Sequence, residues 1–370
     1  MKRSGCSFPR PVPPWYNKDL QRNTFLIRSL RHLQGRLREV SLVAVLACFS
    51  GCAGNHHLVP APAPFSHPSL GVTWLTPGAA GDAAVLSRWR VAVGQPVITN
   101  RPPVEAPLPV DTLTIISWNM ALGEGDLVAL LRRVQRDHPG TAIVLLLQEA
   151  FRGGDDVPPT PINAAFARKI RGTAAREIDD LARTLQMSLY YVPSMRNGAP
   201  ADSHEDRGNA ILSTLPLENL AAIELPFEKQ RRVALAATVR GTTTRGEPWT
   251  LRLANAHLDN TSVKKVWVAS EFARMRQARG LRDALAGTEP LVLGGDFNTW
   301  FGFVDAAYRE LAGAFPDTRV TDARRTFLGL LRLDHLFFRI PDEWRAEFKR
   351  GESSFGSDHY PLIASVTFSP

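Results

Sequence analysis

The chain has 370 residues, 44% hydrophobic and 22% charged, a globular composition that excludes collagen, extended disorder and coiled coil. Its formal net charge of +8 is uneven: 12 Lys and Arg stand against 4 Asp and Glu up to Val110, which leaves 32 of each from Asp111 onward. The basic excess belongs to the N-terminal region, and the neutral remainder argues against non-specific duplex binding through many Lys and Arg contacts to phosphates.

Residues 1–52 read as a basic N-terminus and an export signal. Arg31, Arg36 and Arg38 precede an apolar run of 12 residues, Val40 to Gly51, which is short of the roughly 20 that a membrane span needs. The small residues Ser50 and Gly51 then lead into Cys52, so the segment resembles a bacterial lipoprotein signal with Cys52 lipidated after cleavage. A cut before Cys48 is the second choice. A buried apolar helix is the competing reading, because 39 residues precede the run where signals total about 15–30. The expectation is an exported, lipid-anchored protein of a bacterial envelope. All three cysteines, Cys6, Cys48 and Cys52, lie in this region, so residues 53–370 can hold neither an internal disulfide nor a thiolate zinc site.

Residues 53–110 are rich in Pro, Gly and Ala and read as a linker and lead-in, with strand-like apolar spacing over Ser87 to Val97. From Asp111 to Pro370 the texture is that of a folded domain. In chain order the pattern predicts a strand over Leu113–Trp118, a helix over Asp126–Asp137, a strand over Ala142–Leu147 and a helix over Thr173–Met187. Strands come next over Ser188–Val192, Asn209–Ser213, Leu220–Leu225, Val233–Val239 and Trp249–Ala256, and then a helix over Lys264–Leu285. A strand over Leu291–Gly294, a helix over Phe303–Leu311 and strands over Leu333–Phe338 and Leu362–Phe368 complete the chain. Consecutive strands from Ala210 to Ala256 disfavour a doubly wound parallel sheet. The expected class is α/β, two packed sheets with helices outside.

Polar residues stand directly at the ends of these apolar strands, where side chains from several strands converge at one sheet edge. Ser117, Trp118 and Asn119 close the first strand, and Gln148 and Glu149 the second. Asp206, Arg207, Gly208 and Asn209 open the fourth; His257 and Asp259 end another, and Asp296 and Asn298 end LVLGGDFN. Asp334 and His335, then Ser357, Asp358 and His359, stand near the C-terminus. One Asn or Asp after a strand is ordinary turn chemistry, but carboxylates and histidines recurring at successive strand ends are not. Carboxylate and amide oxygens without cysteine suit a hard cation, Mg²⁺ or Mn²⁺, more than zinc. Hard metal, carboxylates and histidines together suit attack of water on phosphorus.

The order SWN, QE, RGNAILS, NAHLD, GGDFN, RLDH and GSDHYP, running from Thr112 to Phe368, resembles the endonuclease/exonuclease/phosphatase superfamily. The resemblance implies a four-layer α/β sandwich of two packed mixed, mainly antiparallel sheets flanked by helices, with Asn119, Glu149 and Asp358 at the metal, and Asp296 and Asn298 orienting the attacking water and the phosphate. It implies His359 as the catalytic histidine with Asp334 as its carboxylate partner, and His257 as a second histidine donating to a phosphoryl or leaving oxygen. The support of His257 stays open between Asp259, Asp206 and Glu205, and Arg207 or Asn209 is expected to contact the phosphate. The function expected is divalent-metal-dependent phosphoester hydrolysis, foremost a phosphodiesterase such as an exported endonuclease. A lipid phosphodiesterase or a small-molecule phosphomonoesterase is the alternative, and the substrate is accordingly a nucleic acid, a phospholipid or a small phosphoester. A non-catalytic surface-binding lipoprotein would show damaged site positions, and the motifs are intact; a zinc hydrolase of another fold lacks its motif. No obligate protein partner is inferred.

Overall fold

Alternating apolar residues build fourteen strands in the computed structural model, which describes residues 57–62, 71–100, 108–158, 175–197, 204–260 and 267–368, the side chains of 267–270 excepted. The expected export signal lies outside the described residues. In chain order the elements are β1 (Leu58–Ala61), β2 (Thr73–Pro77), α1 (Ala80–Arg90), β3 (Val97–Thr99), β4 (Thr112–Asn119), α2 (Leu127–Asp137), β5 (Ala142–Gly153), α3 (Ile178–Thr184) and β6 (Ser188–Arg196). They continue with β7 (Glu205–Ser213), β8 (Glu218–Glu224), β9 (Val233–Thr242), β10 (Pro248–His257), α4 (Trp267–Ala284), β11 (Leu291–Asp296), α5 (Ala306–Ala312), β12 (Asp334–Arg339), β13 (Arg345–Arg350) and β14 (Leu362–Thr367).

Two seven-stranded sheets result, one in the order β1-β2-β8-β9-β10-β11-β12 and the other β13-β14-β4-β5-β7-β6-β3. Both are mixed. β4 with β5, β10 with β11 and β2 with β8 are parallel, and the remaining pairs are antiparallel. Period-two alternation explains the layering. Ile115, Val144 and Ile211 of one sheet meet Leu235, Leu253 and Val292 of the other in the central core. The outward residues of β4 and β5, such as Ile116 and Leu145, pack on α2 and α3, and those of β9 to β11, such as Ala254 and Leu293, pack on α4 and α5. The order helix, sheet, sheet, helix is the expected four-layer sandwich. Among the described residues no helix is long and apolar enough to cross a membrane.

Two segments differ from expectation. The stretch expected to be a lead-in contributes β1 and β2 to one sheet and β3 to the edge of the other. Its strand-like run is instead the end of α1 up to Arg90, a turn and loop over 91–96 and the first residue of β3, and in α1 Leu86 and Trp89, three residues apart, bury one helical face. β13 reads as RAEFKR, in which only Phe348 is buried; an exposed, charged edge strand has no apolar alternation to betray it.

Candidate active site

The ends of β4, β10 and β11 and the starts of β12 and β14 meet at one edge of the sandwich. His257 lies opposite Asp296 across the β10–β11 pair, and Asp296 lies opposite Asp334 across β11–β12, which sets three side chains in a row. The second glycine of GGDFN permits this approach: a Cβ at Gly295 would stand 2.0 Å from the Ala256 carbonyl oxygen. From the facing sheet, Asn119 Nδ2 donates to Asp296 Oδ2 at 3.0 Å. His359, just before β14, places Nδ1 2.8 Å from Asp334 Oδ2. Its Nε2 is 3.8 Å from Asp296 Oδ2, and His257 Nε2 is 3.4 Å from the same oxygen. One buried carboxylate therefore faces both histidines.

Electrostatics are set by that packing. Burial pushes the Asp296 carboxyl up to about 7, with the His359 charge opposing and the Asp334 charge adding to the rise. For His359 burial acts downward, but the charges of Asp334 and then Asp296 prevail and raise it to about 10. His359 is thus an imidazolium at neutral pH, with Asp334 fixing Nδ1 as the donor. The ring is held from other sides as well. Its backbone N–H donates to Ser357 Oγ at 3.0 Å, Ser357 Oγ donates to the Asn119 carbonyl at 2.7 Å, and Trp118 Nε1 donates to the His359 carbonyl at 2.9 Å. The Phe327 ring lies 4.9 Å from the imidazole, centroid to centroid. Asn298, at φ 50°, donates its backbone N–H to Asp296 Oδ1 and its side-chain amide to the Leu258 carbonyl, both at 3.0 Å.

A second group sits alongside on β5 and β7. Glu149 comes directly after Gln148, the register partner of Asn119, and occupies a bulge where the β5–β7 register shifts between Leu147 and Ala150. Its φ of 51° is a conformation that non-glycine residues rarely adopt, and it aims the carboxylate away from the strand's ordinary alternation. Asn209 donates its amide to the Val233 carbonyl at 2.8 Å. Arg207 is buried, donating from Nη1 to Asn197 Oδ1 at 3.2 Å and from Nη2 to Met195 Sδ at 3.0 Å. Asp358 is half exposed, its Oδ1 4.0 Å from His359 Nε2.

The carboxylate seen to face His257, at its Nε2, is Asp296, while the three supports left open for the ring have described partners of their own. Asp259 accepts the backbone N–H groups of Lys229 and Gln230, Asp206 is taken by Arg152, Tyr191 and the Gly94 amide, and Glu205 accepts from Asn197. The facing group is Asp296, so the two histidines share one carboxylate. His335 comes after Asp334 and so points to the opposite face. There its Nε2 meets Thr299 Oγ1 at 2.7 Å among Phe297, Phe303, Tyr308 and Phe337, and burial holds its pKa well below the ordinary value. Phe301 remains exposed, whereas Phe303 packs on Tyr308 and carries Arg332 over its face at 4.8 Å. Sequence reasoning misses Asn255. It is fully buried, donates to the carbonyls of Leu147 and Ala210, and accepts from Gln148 Nε2 at 2.7 Å, joining the sheets directly beneath the site. An asparagine inside the apolar run LRLANAH is its only signal.

Two sets of residues bear on a cation, one by its geometry and the other by the chemistry of its donors. Asp296, Asp334 and His359 bring ligand atoms within 4.8 Å of one another, but a protonated imidazole has no lone pair to give. The oxygen donors of Glu149, Asn119 and Asp358 fit a hard divalent ion better.

The model of the Endonuclease/Exonuclease/phosphatase family matches residues 116–359. Among solved structures, the chain is similar to the endonuclease/exonuclease/phosphatase from Beutenbergia cavernae DSM 12333, with 17% identity, a TM-score of 0.51, and coverage of 70% of this chain and 72% of that one. It is also similar to sphingomyelinase C from Streptomyces griseocarneus, at 16% identity and a TM-score of 0.40 over 69% of this chain and 99% of that one. A third is truncated Caenorhabditis elegans TDP2, at 18% identity and a TM-score of 0.38 over 70% of this chain and 98% of that one. No curated protein matches the chain. Since the family model spans every strand end that builds the site, the chain belongs to the endonuclease/exonuclease/phosphatase family and is a phosphoric ester hydrolase.

Proposed function

We propose that the chain is a divalent-metal-dependent phosphodiesterase in which water attacks phosphorus. The observation that carries this reading is the pair of histidines facing one buried carboxylate, Asp296, itself bonded by Asn119. A divalent ion, Mg²⁺ or Mn²⁺, held by Glu149, Asn119 and Asp358 would supply positive charge to the phosphoryl oxygens. Asp296, raised to about 7, is poised to accept the proton of an attacking water at neutral pH, and its fixed bonds to Asn119 and to the Asn298 amide orient the accepting oxygen. His359, kept protonated by Asp334, offers Nε2–H to a phosphoryl or leaving oxygen. His257 offers a second donor from the other side, and Arg207 and Asn209 belong to the phosphate-binding wall.

Nicking of supercoiled plasmid by the full chain tests the reading. Nicking is expected with Mg²⁺, abolished by EDTA, and lowered at least ~10²-fold in His359→Ala and in His257→Ala. Glu149→Ala is expected to lose activity at ordinary Mg²⁺ and to regain part of it at excess Mg²⁺. No nicking by a folded, Mg²⁺-binding protein would move the substrate from nucleic acid to a phospholipid or a small phosphoester. Wild-type rates in either histidine variant would remove that residue from the chemistry. Export through a lipidated Cys52 is part of the proposal, supported by the run from Val40 to Gly51; incorporation of labelled fatty acid into the wild type but not into Cys52→Ala is the expected result.

A further inference from the structure

Several buried arginines among the described residues pair with carboxylates. Arg231 pairs with Glu224 at 2.8 Å, Arg274 with Asp305 at 2.7 Å and Arg152 with Asp206 at 3.1 Å. Arg207 and Arg232 depart from that pattern, and so does Arg332, whose Nη1 is taken by the backbone carbonyls of Asp322 and Arg324. Arg207, 8% exposed, donates only to a neutral amide oxygen and a thioether sulfur among its described hydrogen bonds. The side chain of Arg232, 5% exposed, makes no hydrogen bond or ion pair among the described residues, and its Nε is buried without a partner. A guanidinium cannot shed its charge to escape burial. A buried guanidinium with no bonded carboxylate therefore favours an arriving anion.

The placement says which anion. Arg232 precedes Val233, whose carbonyl accepts the Asn209 amide, and Asn209 lies two residues along β7 from Arg207, on the same strand face. The loop carrying Arg232 is pinned by Asp259 through the amides of Lys229 and Gln230, two residues beyond His257. The two arginines therefore stand between the His257 end of β10 and the bulge that presents Glu149. After burial itself, the charges acting on Arg207 are those of Glu149, which favours its cation, and Arg232, which opposes it. Two planar guanidiniums side by side match the several oxygens of a phosphate group, each able to bond it twice.

We propose that Arg232 and Arg207 form an oxyanion clamp that holds a phosphate group of the substrate on the Glu149 side of the site. The clamp rests on the proposed phosphodiesterase function and adds to it a binding residue, Arg232. The phosphate is either the one being cleaved or a neighbouring one on the same substrate, and kinetics separate the two.

The experiment compares the full-length wild type, Arg232→Met and Arg232→Lys. In EDTA, inorganic phosphate is expected to raise the wild-type Tm, to raise that of Arg232→Lys in part, and to leave that of Arg232→Met unmoved. Without phosphate, Arg232→Met is expected to melt at or above the wild type, since an uncompensated buried charge has gone; a purely structural arginine would lower it. In Mg²⁺, kcat/KM is compared on bis(p-nitrophenyl) phosphate and on a p-nitrophenyl nucleotide diester bearing a second, terminal phosphate. A loss of about 10²-fold on both in Arg232→Met identifies the clamped group as the reacting phosphate, and a loss confined to the second identifies the neighbouring one. The proposal is overturned if Arg232→Met keeps the phosphate-induced shift, or if it melts well below the wild type and keeps both rates. If the wild type hydrolyses neither diester, the phosphodiesterase function falls while the Tm comparison still decides the clamp.

Discussion

At the scale of single residues the site is two opposed titrations held in contact. Asp334 is the foremost reason His359 is a cation: burial acts downward on the imidazole most strongly, and the charge and hydrogen bond of Asp334 together with the charge of Asp296 overcome it. Asp334→Asn is therefore expected to bring the His359 pKa from about 10 down by several units, read directly from the imidazole nitrogens by NMR. An unchanged titration would mean that Asp296 alone carries the charge. Asp296 has the opposite sign. Its folded pKa of about 7 exceeds the ordinary 3.8, so the folded state prefers the protonated carboxyl; that stabilisation is complete below 3.8 and lost as pH rises through about 7. In EDTA, Asp296→Asn is expected to raise Tm at pH 8 and to leave it unchanged near pH 4, the mark of a side chain kept for chemistry at the expense of stability. An equal Tm at both pH values would show that the ionised carboxylate is fully compensated by its neighbours. The motifs make these two residues legible because each stands at the end of an apolar strand. Their sharing is not legible, since which carboxylate faces His257 depends on the parallel β10–β11 register, which sets it against Asp296, and not on its sequence neighbour Asp259.

At the scale of elements, the strand ends are where the sequence speaks and the strand interiors are where it is silent. GGDFN and GSDHYP announce themselves by glycine and turn chemistry, whereas Asn255 is an isolated polar residue in a strand whose neighbours are apolar. Its role exists only after the sheets pack, when its amide reaches the carbonyls of Leu147, just before the Glu149 bulge on β5, and of Ala210 on β7. The bulge that aims Glu149 and the asparagine that tolerates it are one device. Asn255→Ala would remove the bonds to the Leu147 and Ala210 carbonyls and the acceptor of the Gln148 amide, and is expected to cost about 3 kcal/mol at roughly 1–3 kcal/mol for a buried polar group left unsatisfied. The measurement is urea unfolding, with a lower midpoint and an unchanged slope. Metal affinity should weaken with it, because Glu149 loses the support of its bulge. A midpoint within error of the wild type would mean that water replaces the amide. The charged edge β13 illustrates the converse: it carries no polar device and no apolar alternation, so nothing in its residues marks it as a strand.

At the scale of the whole molecule, the segment before Asp111 is bound into the sandwich by more than its strands. Arg90 of α1 and Thr76 of β2 both bond Glu224, a fully buried carboxylate that also holds Arg231. Arg231 in turn donates from Nη1 to the carbonyls of Pro193 and Ser194, linking β6 of one sheet to the start of β9 of the other. The Gly94 amide bonds Asp206 of β7, and Trp74 and Trp89 are buried against the folded body. Composition conceals all this, because proline and alanine read as a tether, whereas the apolar residues that dock are few and widely spaced. A protein begun at Asp111 would expose two tryptophan sites and remove the half of the Glu224 network that Arg90 and Thr76 supply, while leaving every motif residue in place. It is expected to unfold at a Tm at least about 10 °C below the full chain, at roughly 2–4 °C per kcal/mol for a domain of this size, and to lose activity in parallel with folding. The Arg90→Met variant separates the network from the burial: it keeps both tryptophans and Arg231 as a partner of Glu224, and should show a smaller loss of Tm, increasing with pH as Glu224 ionises. Because Arg90 and Arg231 hold the Glu224 carboxyl down at about 2 against a burial that pushes upward, stability from this group is present above the ordinary 4.5 and lost as pH falls through about 2. Wild-type stability in the truncated protein would return the segment to the status of a tether.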